Sequence, residues 1–475
     1  MPILNRLTSK QLLLRISLFI LLVAPALTAR AQSQLASDLR QKVDGVARKA
    51  LETTGVPSAS IAIVKDGQIA YLQAYGNAKT DPPMPARPEM RYSIGSISKQ
   101  FTATAILMLA EQGKLSLDDP VSRFLPTLTR AGEVTIRQLL AHTSGYQDYW
   151  PQDYVFPLMM QPITAEKLLD LWARKPLDFD PGTQRQYSNT GFVIAGLIVE
   201  KAAGMPLLQF LRERVFTPLV MDSVVDVDQN RLSDTDPAGY MRYALGPLRV
   251  APKEGQGWLF AAGELAMTAR DLAKWNIGLI EQKLLKLSSY QEMETEVLLK
   301  NGVATHYGLG IGIRSDSGRR VLEHGGEVSG FTAENLVFPD HRAAITVLTN
   351  ADAAEAATSM AQKITPLIFA VQDATAAKFQ ELARKIFADL QRGTINRSLF
   401  TGNGNSYFSE QALRDFSASL APLGAPREFT QIEHSERGGM SFWAYQIRFA
   451  RKTLVLTVRA MPDGKIEQYQ IAAVD

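Results

Sequence analysis

A serine and a lysine three residues apart, in Ser96-Ile97-Ser98-Lys99, open a long apolar stretch with helical spacing. Residues i and i+3 share a helix face. A hydroxyl nucleophile and an amine able to take its proton would therefore stand one turn apart. Serine at its ordinary pKa attacks acyl carbon poorly near neutrality and needs such a base. A match of this kind arises about once or twice by chance in a chain this long, and taken alone Ser96 reads better as a helix cap and Lys99 as a solvated helix residue. The pair acquires meaning only from its partners.

Two further groups supply them. Tyr187-Ser188-Asn189 falls in a loop led by Gly182, immediately before a helical pattern, and His324-Gly325-Gly326 follows a strand expected to end at Glu323. Taken singly, Tyr187 is a core aromatic, Asn189 a helix cap and His324 a turn residue. Taken together they complete a site. Lys99 and Tyr187 have ordinary pKa values of about 10.4 and 10, too high for either to act as a base until shifted. Brought together and partly desolvated, each favours the reactive form of the other. The pair titrates as a unit, so which member takes the proton stays open. Asn189 can hold Lys99 and hydrogen-bond a substrate amide or carbonyl.

Ser-x-x-Lys, Tyr-x-Asn and a basic residue-x-Gly, in this order, resemble the three motifs of the serine β-lactamase and penicillin-binding protein superfamily. Side matches narrow the resemblance to its class C-like branch, which includes esterases and D-aminopeptidases. They are Leu139-Leu140-Ala141-His142-Thr143-Ser144-Gly145, Ala262-Gly263-Glu264-Leu265 running into Thr268-Ala269-Arg270-Asp271-Leu272, and Tyr307-Gly308-Leu309-Gly310. The resemblance covers about residues 35 to 370. It implies an acyl intermediate on Ser96, with Lys99 and Tyr187 moving protons. It also implies an oxyanion hole made by the backbone N–H groups of Ser96 and Glu327, and Gly325 and Gly326 placed so that their strand can approach the acyl group.

One departure bears on substrate. True β-lactamases and most penicillin-binding proteins have lysine, a permanent cation, where this chain has His324, mostly neutral near pH 7, whereas esterases and D-aminopeptidases of the family tolerate histidine there. The expected substrates are therefore esters, small amides or D-amino-acyl peptides, with cell-wall fragments among them. A β-lactamase or D-alanyl-D-alanine carboxypeptidase is the alternative. A non-catalytic peptidoglycan-binding or interaction protein on the same scaffold is the other, and the intact set of Ser96, Lys99, Tyr187 and Asn189 argues against it. No Gly-x-Ser-x-Gly elbow surrounds Ser96, which opposes an α/β-hydrolase fold. His142 reads as a structural turn residue rather than a triad base. Tyr146, Tyr149 and Trp150 could wall an acyl pocket, and Glu264 and Arg270 read as structural.

The elements that must position these residues follow from patterning. A helix over 35–54 precedes a hairpin, Ile61 to Val64 and Ile69 to Leu72, turned at Asp66-Gly67. Helical pattern runs from Ile97 to about Glu111, and the middle of the chain is rich in helix and loop. Strand signals return at 311–314, 320–323, 333–338 and 344–349, closed by a helix over about 353–371. Strands at both ends of a helical insertion predict an α+β fold of the β-lactamase/transpeptidase-like type: an antiparallel sheet flanked by helices, with a helical subdomain. A boundary is expected at 373–377, giving a hydrolase domain over 32–372. Beyond it, 377–475 reads as a small α+β accessory domain with helices at 379–390 and 410–421 and three strands, vaguely like the nuclear transport factor 2 cone.

Composition sets the remaining bounds. With 46% hydrophobic and 21% charged residues the chain has ample core. It has no cysteine and five scattered histidines, so neither a thiolate site nor a zinc cluster is expected, and no cofactor is required. Arg6, Lys10 and Arg15, an apolar run from Ile16 to Leu27, and Ala29-Arg30-Ala31 read as a cleavable signal peptide over 1–31, cut near Ala31/Gln32. Secretion or periplasmic residence is then expected, with no stable membrane span after cleavage. The leader carries most of the basic balance, and without it the net charge drops from +3 to about −1, leaving no case for nucleic acid. Oligomeric state is not legible.

Overall fold

The structure is a computed structural model that describes residues 35–474 apart from 153, 353 and 354. The expected leader and its cleavage site lie outside the described residues. Among those described, no single helix is long and apolar enough to cross a membrane.

A seven-stranded antiparallel sheet organises the larger part. Its order is Pro83–Pro85, Gln68–Thr80, Ser58–Lys65, Ala343–Thr349, Phe331–Phe338, Arg319–Val328 and Gly312–Asp316. The first hairpin therefore pairs with the strand before the long closing helix, as the pattern of distant strands implies. Ser58 to Val64 are all buried because both faces are covered. Successive strand residues point to opposite sides, so Ile61 and Ile63 face helix α1 (Ser37–Thr54) and the long helix Ala356–Gln391, while Ala62 and Val64 face the central core.

That central core contains helix α2 (Ser98–Glu111), in which every residue from Ser98 to Leu109 is buried. A helix apolar on all sides belongs inside a protein. Two of its polar side chains tie it to neighbouring segments: Trp275 Nε1 donates to Gln100 Oε1 at 2.7 Å, and Thr102 Oγ1 donates to Ala261 O at 2.8 Å. The helix Asn189–Ala203 packs beside it and starts at Ser188, whose hydroxyl accepts from Gly191 N–H at 3.3 Å. The cap is thus Ser188, not Asn189, and Asn189 is released for the site.

Three expectations are corrected. The strand expected to stop at Glu323 continues through His324, Gly325 and Gly326 to Val328. The helices expected on either side of residues 373–377 are one helix, Ala356–Gln391. The C-terminal sheet has four antiparallel strands, not three, because Glu428–Arg437 precedes Met440–Arg448, Thr453–Ala460 and Ile466–Val474. This sheet forms its own apolar cluster with Ala383, Ile386, Phe387 and Leu390 of the long helix. Tyr469 fastens the two by donating to Ala383 O at 2.8 Å.

Candidate active site

Ser96 sits in a single 3-10 turn, Gly95–Ile97, that leads directly into α2. Two glycines set its distance from the neighbouring strand. Gly95 has φ +50° and a Cβ there would lie 2.6 Å from Glu327 N; a Cβ on Gly326 would lie 1.9 Å from Ile94 O. Only residues without a side chain permit this approach. Gly325 meets no such obstruction, its virtual Cβ being 3.9 Å from Ala333 O. Of the two strand glycines, Gly326 therefore serves contact with the Ser96 turn, and Gly325 keeps the cleft wall open.

The cleft encloses about 980 Å³ and is lined by Ser96, Tyr187, Asn189, His324, Gly325, Gly326 and Glu327. Lys99 lies fully buried directly behind it. Its Nζ is 2.8 Å from each of Ser96 Oγ, Asn189 Oδ1 and Ala262 O. An ammonium would donate to all three. A neutral amine would donate to Asn189 and Ala262 and accept the Ser96 proton with its lone pair. Burial disfavours the charged form and brings the Lys99 pKa down from its usual value to about 7, against an upward pull from the Asp148 and Glu264 carboxylates. Both states are therefore accessible near neutrality.

Asn189 is held from behind by Asp148, an acid in the aromatic loop that the sequence reading passed over. Asp148 Oδ1 accepts from Asn189 N–H at 3.0 Å and Oδ2 from Asn189 Nδ2 at 3.3 Å. This fixes the amide orientation, turning Oδ1 towards Lys99. Burial raises the Asp148 pKa. Of the loop aromatics, Tyr149 and Trp150 line the cleft, whereas Tyr146 is buried and donates to Thr129 O at 3.0 Å.

Tyr187 lies with its ring 4.9 Å from Lys99 Nζ and packs on His142, with ring centroids 4.2 Å apart. His142 is buried, and its Nδ1 accepts from Ser188 N–H at 3.1 Å. Burial holds it well below its ordinary pKa. It is a neutral wedge that positions the Tyr187-Ser188-Asn189 turn, which fits a structural role.

His324 is also neutral. Its Nδ1 stands 2.6 Å from Gly325 O, and since a carbonyl only accepts, Nδ1 carries the proton. Nε2 then accepts from Tyr307, whose hydroxyl is 2.8 Å away and is kept protonated by burial. Burial, helped by the Lys99 charge, pulls His324 down to about 3. Tyr307 was visible in Tyr307-Gly308-Leu309-Gly310 but carried no role until its hydroxyl was placed. Among the described residues, no group of three or more His, Asp or Glu is arranged to hold a metal ion.

Comparison with known proteins accords with this arrangement. The beta-lactamase family model matches residues 43–366. A penicillin-binding protein of Bacillus subtilis (strain 168) is 28% identical over 308 residues, covering 62% of this chain and 68% of that protein. The D-amino acid amidase of Ochrobactrum anthropi SV3, solved with D-phenylalanine, superposes with a TM-score of 0.64 at 25% identity, over 71% of this chain and 100% of that one. An octameric penicillin-binding protein homologue from Pyrococcus abyssi shares the fold at 21% identity and a TM-score of 0.62, over 92% of this chain and 96% of its own. The chain belongs to the beta-lactamase family and, with it, to the serine hydrolase superfamily.

Proposed function

We propose that this protein is an exported serine hydrolase that forms an acyl-Ser96 intermediate on esters, small amides or D-amino-acyl peptides. The observation that carries the reading is the Lys99 Nζ–Ser96 Oγ contact of 2.8 Å, made by a lysine whose burial brings its pKa to about 7. Ser96 Oγ attacks the acyl carbon while its proton passes to the Lys99–Tyr187 pair. The tetrahedral oxyanion is held by the backbone N–H groups of Ser96 and Glu327. The bond from acyl carbon to the leaving oxygen or nitrogen then breaks, and the pair returns the proton to that atom. Water, deprotonated by the same pair, repeats the attack and releases the acid and free Ser96. Export is supported by the signal-like residues 1–31.

The substrate assignment rests on His324. Its neutral ring, with both nitrogens engaged inside the protein, offers no cation beside the oxyanion hole for the carboxylate of a β-lactam. D-amino-acyl amides are favoured among the amides by the likeness to the D-amino acid amidase. A panel of p-nitrophenyl butyrate, D-alanine p-nitroanilide and nitrocefin tests the assignment. Ester hydrolysis is expected to exceed nitrocefin turnover by well over tenfold in kcat/KM; nitrocefin turnover equal to or above that of the ester would overturn it.

Asp148 gives a second expected result. Its carboxylate pulls the Lys99 pKa upward, so Asp148→Asn removes that pull and lowers it further. The limb of the pH–kcat/KM profile set by Lys99, acid if it is the base and alkaline if it is the ammonium, should move below the wild-type midpoint near 7. A limb that stays put or moves up would show that Asp148 acts on Asn189 alone.

A further inference from the structure

The strand Arg319–Val328 is bordered by two hollows that meet at His324. The catalytic cleft lies along Gly325 to Val328, and a side pocket of about 690 Å³ continues it past His324, sharing Tyr187, His324 and Gly325 with it. Tyr307 and Arg185 line this side pocket. The guanidinium carbon of Arg185 lies 4.9 Å from the centre of the Tyr307 ring, and Tyr307 in turn holds His324. A fixed cation thus stands one aromatic ring further out than the neutral imidazole.

The other charged groups around the pocket are mostly committed. Arg314 pairs with Glu323, and His306 faces Glu296 at 3.3 Å. Glu334 is buried, which favours its neutral acid form, and accepts from Thr358 at 2.7 Å. Asp316 also borders the pocket, at the end of its strand. Arg185 itself makes no ion pair among the described residues. It is exposed, on the loop two residues before Tyr187.

Proton transfer bounds where the leaving group stands. A general acid must be within hydrogen-bond reach of the atom it protonates, and the proton comes from the Lys99–Tyr187 pair. Tyr187 borders both hollows, so a leaving group that takes its proton from this pair stands where the cleft opens into the side pocket. We propose that Arg185 anchors a carboxylate on the leaving-group side of the substrate, in the pocket bounded by Tyr187, Tyr307 and His324. The enzyme then selects esters or amides whose leaving group carries its anion some distance from the scissile bond. Guanidinium suits this task because its planar fork binds carboxylate through two parallel hydrogen bonds while its face stacks on an aromatic ring.

This inference rests on the acyl-Ser96 reading, and one pair of substrates separates the two. The butyrate esters of 4-hydroxybenzoic acid and 4-hydroxybenzamide share an acyl group and a shape, and differ in one charge on the leaving ring. Wild type should favour the carboxyphenyl ester. In Arg185→Gln the ratio of kcat/KM values, carboxyphenyl over carbamoylphenyl, should fall about tenfold, the size of one charge-assisted contact, and Arg185→Lys should restore part of it. An unchanged ratio in Arg185→Gln overturns the anchor while leaving the hydrolase standing. Failure of both esters to show turnover that Ser96→Ala abolishes overturns the hydrolase reading, and the anchor with it.

Discussion

Ser96→Ala is expected to abolish covalent labelling and to lower ester turnover by about 10⁴-fold or more, as removal of a nucleophile does in serine hydrolases. Intact mass spectrometry after exposure to a fluorophosphonate should show one adduct on wild type and none on the variant. The same pairing with benzylpenicillin reports whether the cleft admits a β-lactam at all. The structural reason for so complete a loss is that nothing replaces the hydroxyl. Ser96 is the half-exposed residue of an otherwise buried turn, held 2.8 Å from the amine that activates it. His142, the histidine most open to confusion with a triad base, spends its Nδ1 on Ser188 N–H. An adduct that survives in Ser96→Ala, or none on wild type, would dismiss the assignment.

Lys99→Arg should be nearly as damaging, with kcat/KM lower by about 10³-fold, because guanidinium keeps the charge but cannot act as a base near neutrality. The wild-type pH profile tests the role more finely. A lysine with its ordinary pKa would be neutral in about one molecule in 2,500 at pH 7. With a pKa of about 7, close to half the molecules carry the neutral amine. If Lys99 is the base, its deprotonated form is the active one. The profile should then rise tenfold per pH unit up to about 7 and level off above it. If Tyr187 is the base and Lys99 its ammonium partner, activity instead falls above that point. The sign of the slope on the alkaline side of 7 therefore decides a question that three equal contacts to Lys99 leave open.

Much of this site was legible because its members carry their chemistry in short local patterns. Ser96 and Lys99 need only one helical turn to meet, and Tyr187, Asn189, His324, Gly325, Gly326 and Glu327 stand in two brief runs whose order matches a known family. Their supports were not legible. Asp148, Tyr307 and Arg185 act through contacts made by loops that meet in three dimensions, and no periodicity announces such a meeting. Asp148 in particular was hidden among Tyr146, Tyr149 and Trp150, which drew attention as aromatics.

The fold shows the same division. Strands buried on both faces announced themselves as apolar runs, as at Ile61 to Val64. The missed strand Glu428–Arg437 buries Phe429 and otherwise presents polar or exposed side chains along its described length, which is how an edge strand looks in sequence. The helix break expected at 373–377 falls on Asp373-Ala374-Thr375-Ala376-Ala377, inside the helix Ala356–Gln391. Alanine is the best helix former and no glycine interrupts the run, so the helix continues through it.

The pairing of Ser58–Lys65 with Ala343–Thr349 has a consequence for when the molecule becomes reactive. The sheet cannot close until nearly the whole of its larger part has left the ribosome, because the first hairpin waits for one of the last strands. Pairings so distant in sequence form late and slowly. Ser96, Tyr187 and His324 come from segments that share no local structure, so each is chemically ordinary in the growing chain. The activated nucleophile exists only where these segments meet, so a chain that has not closed this sheet lacks the assembled site.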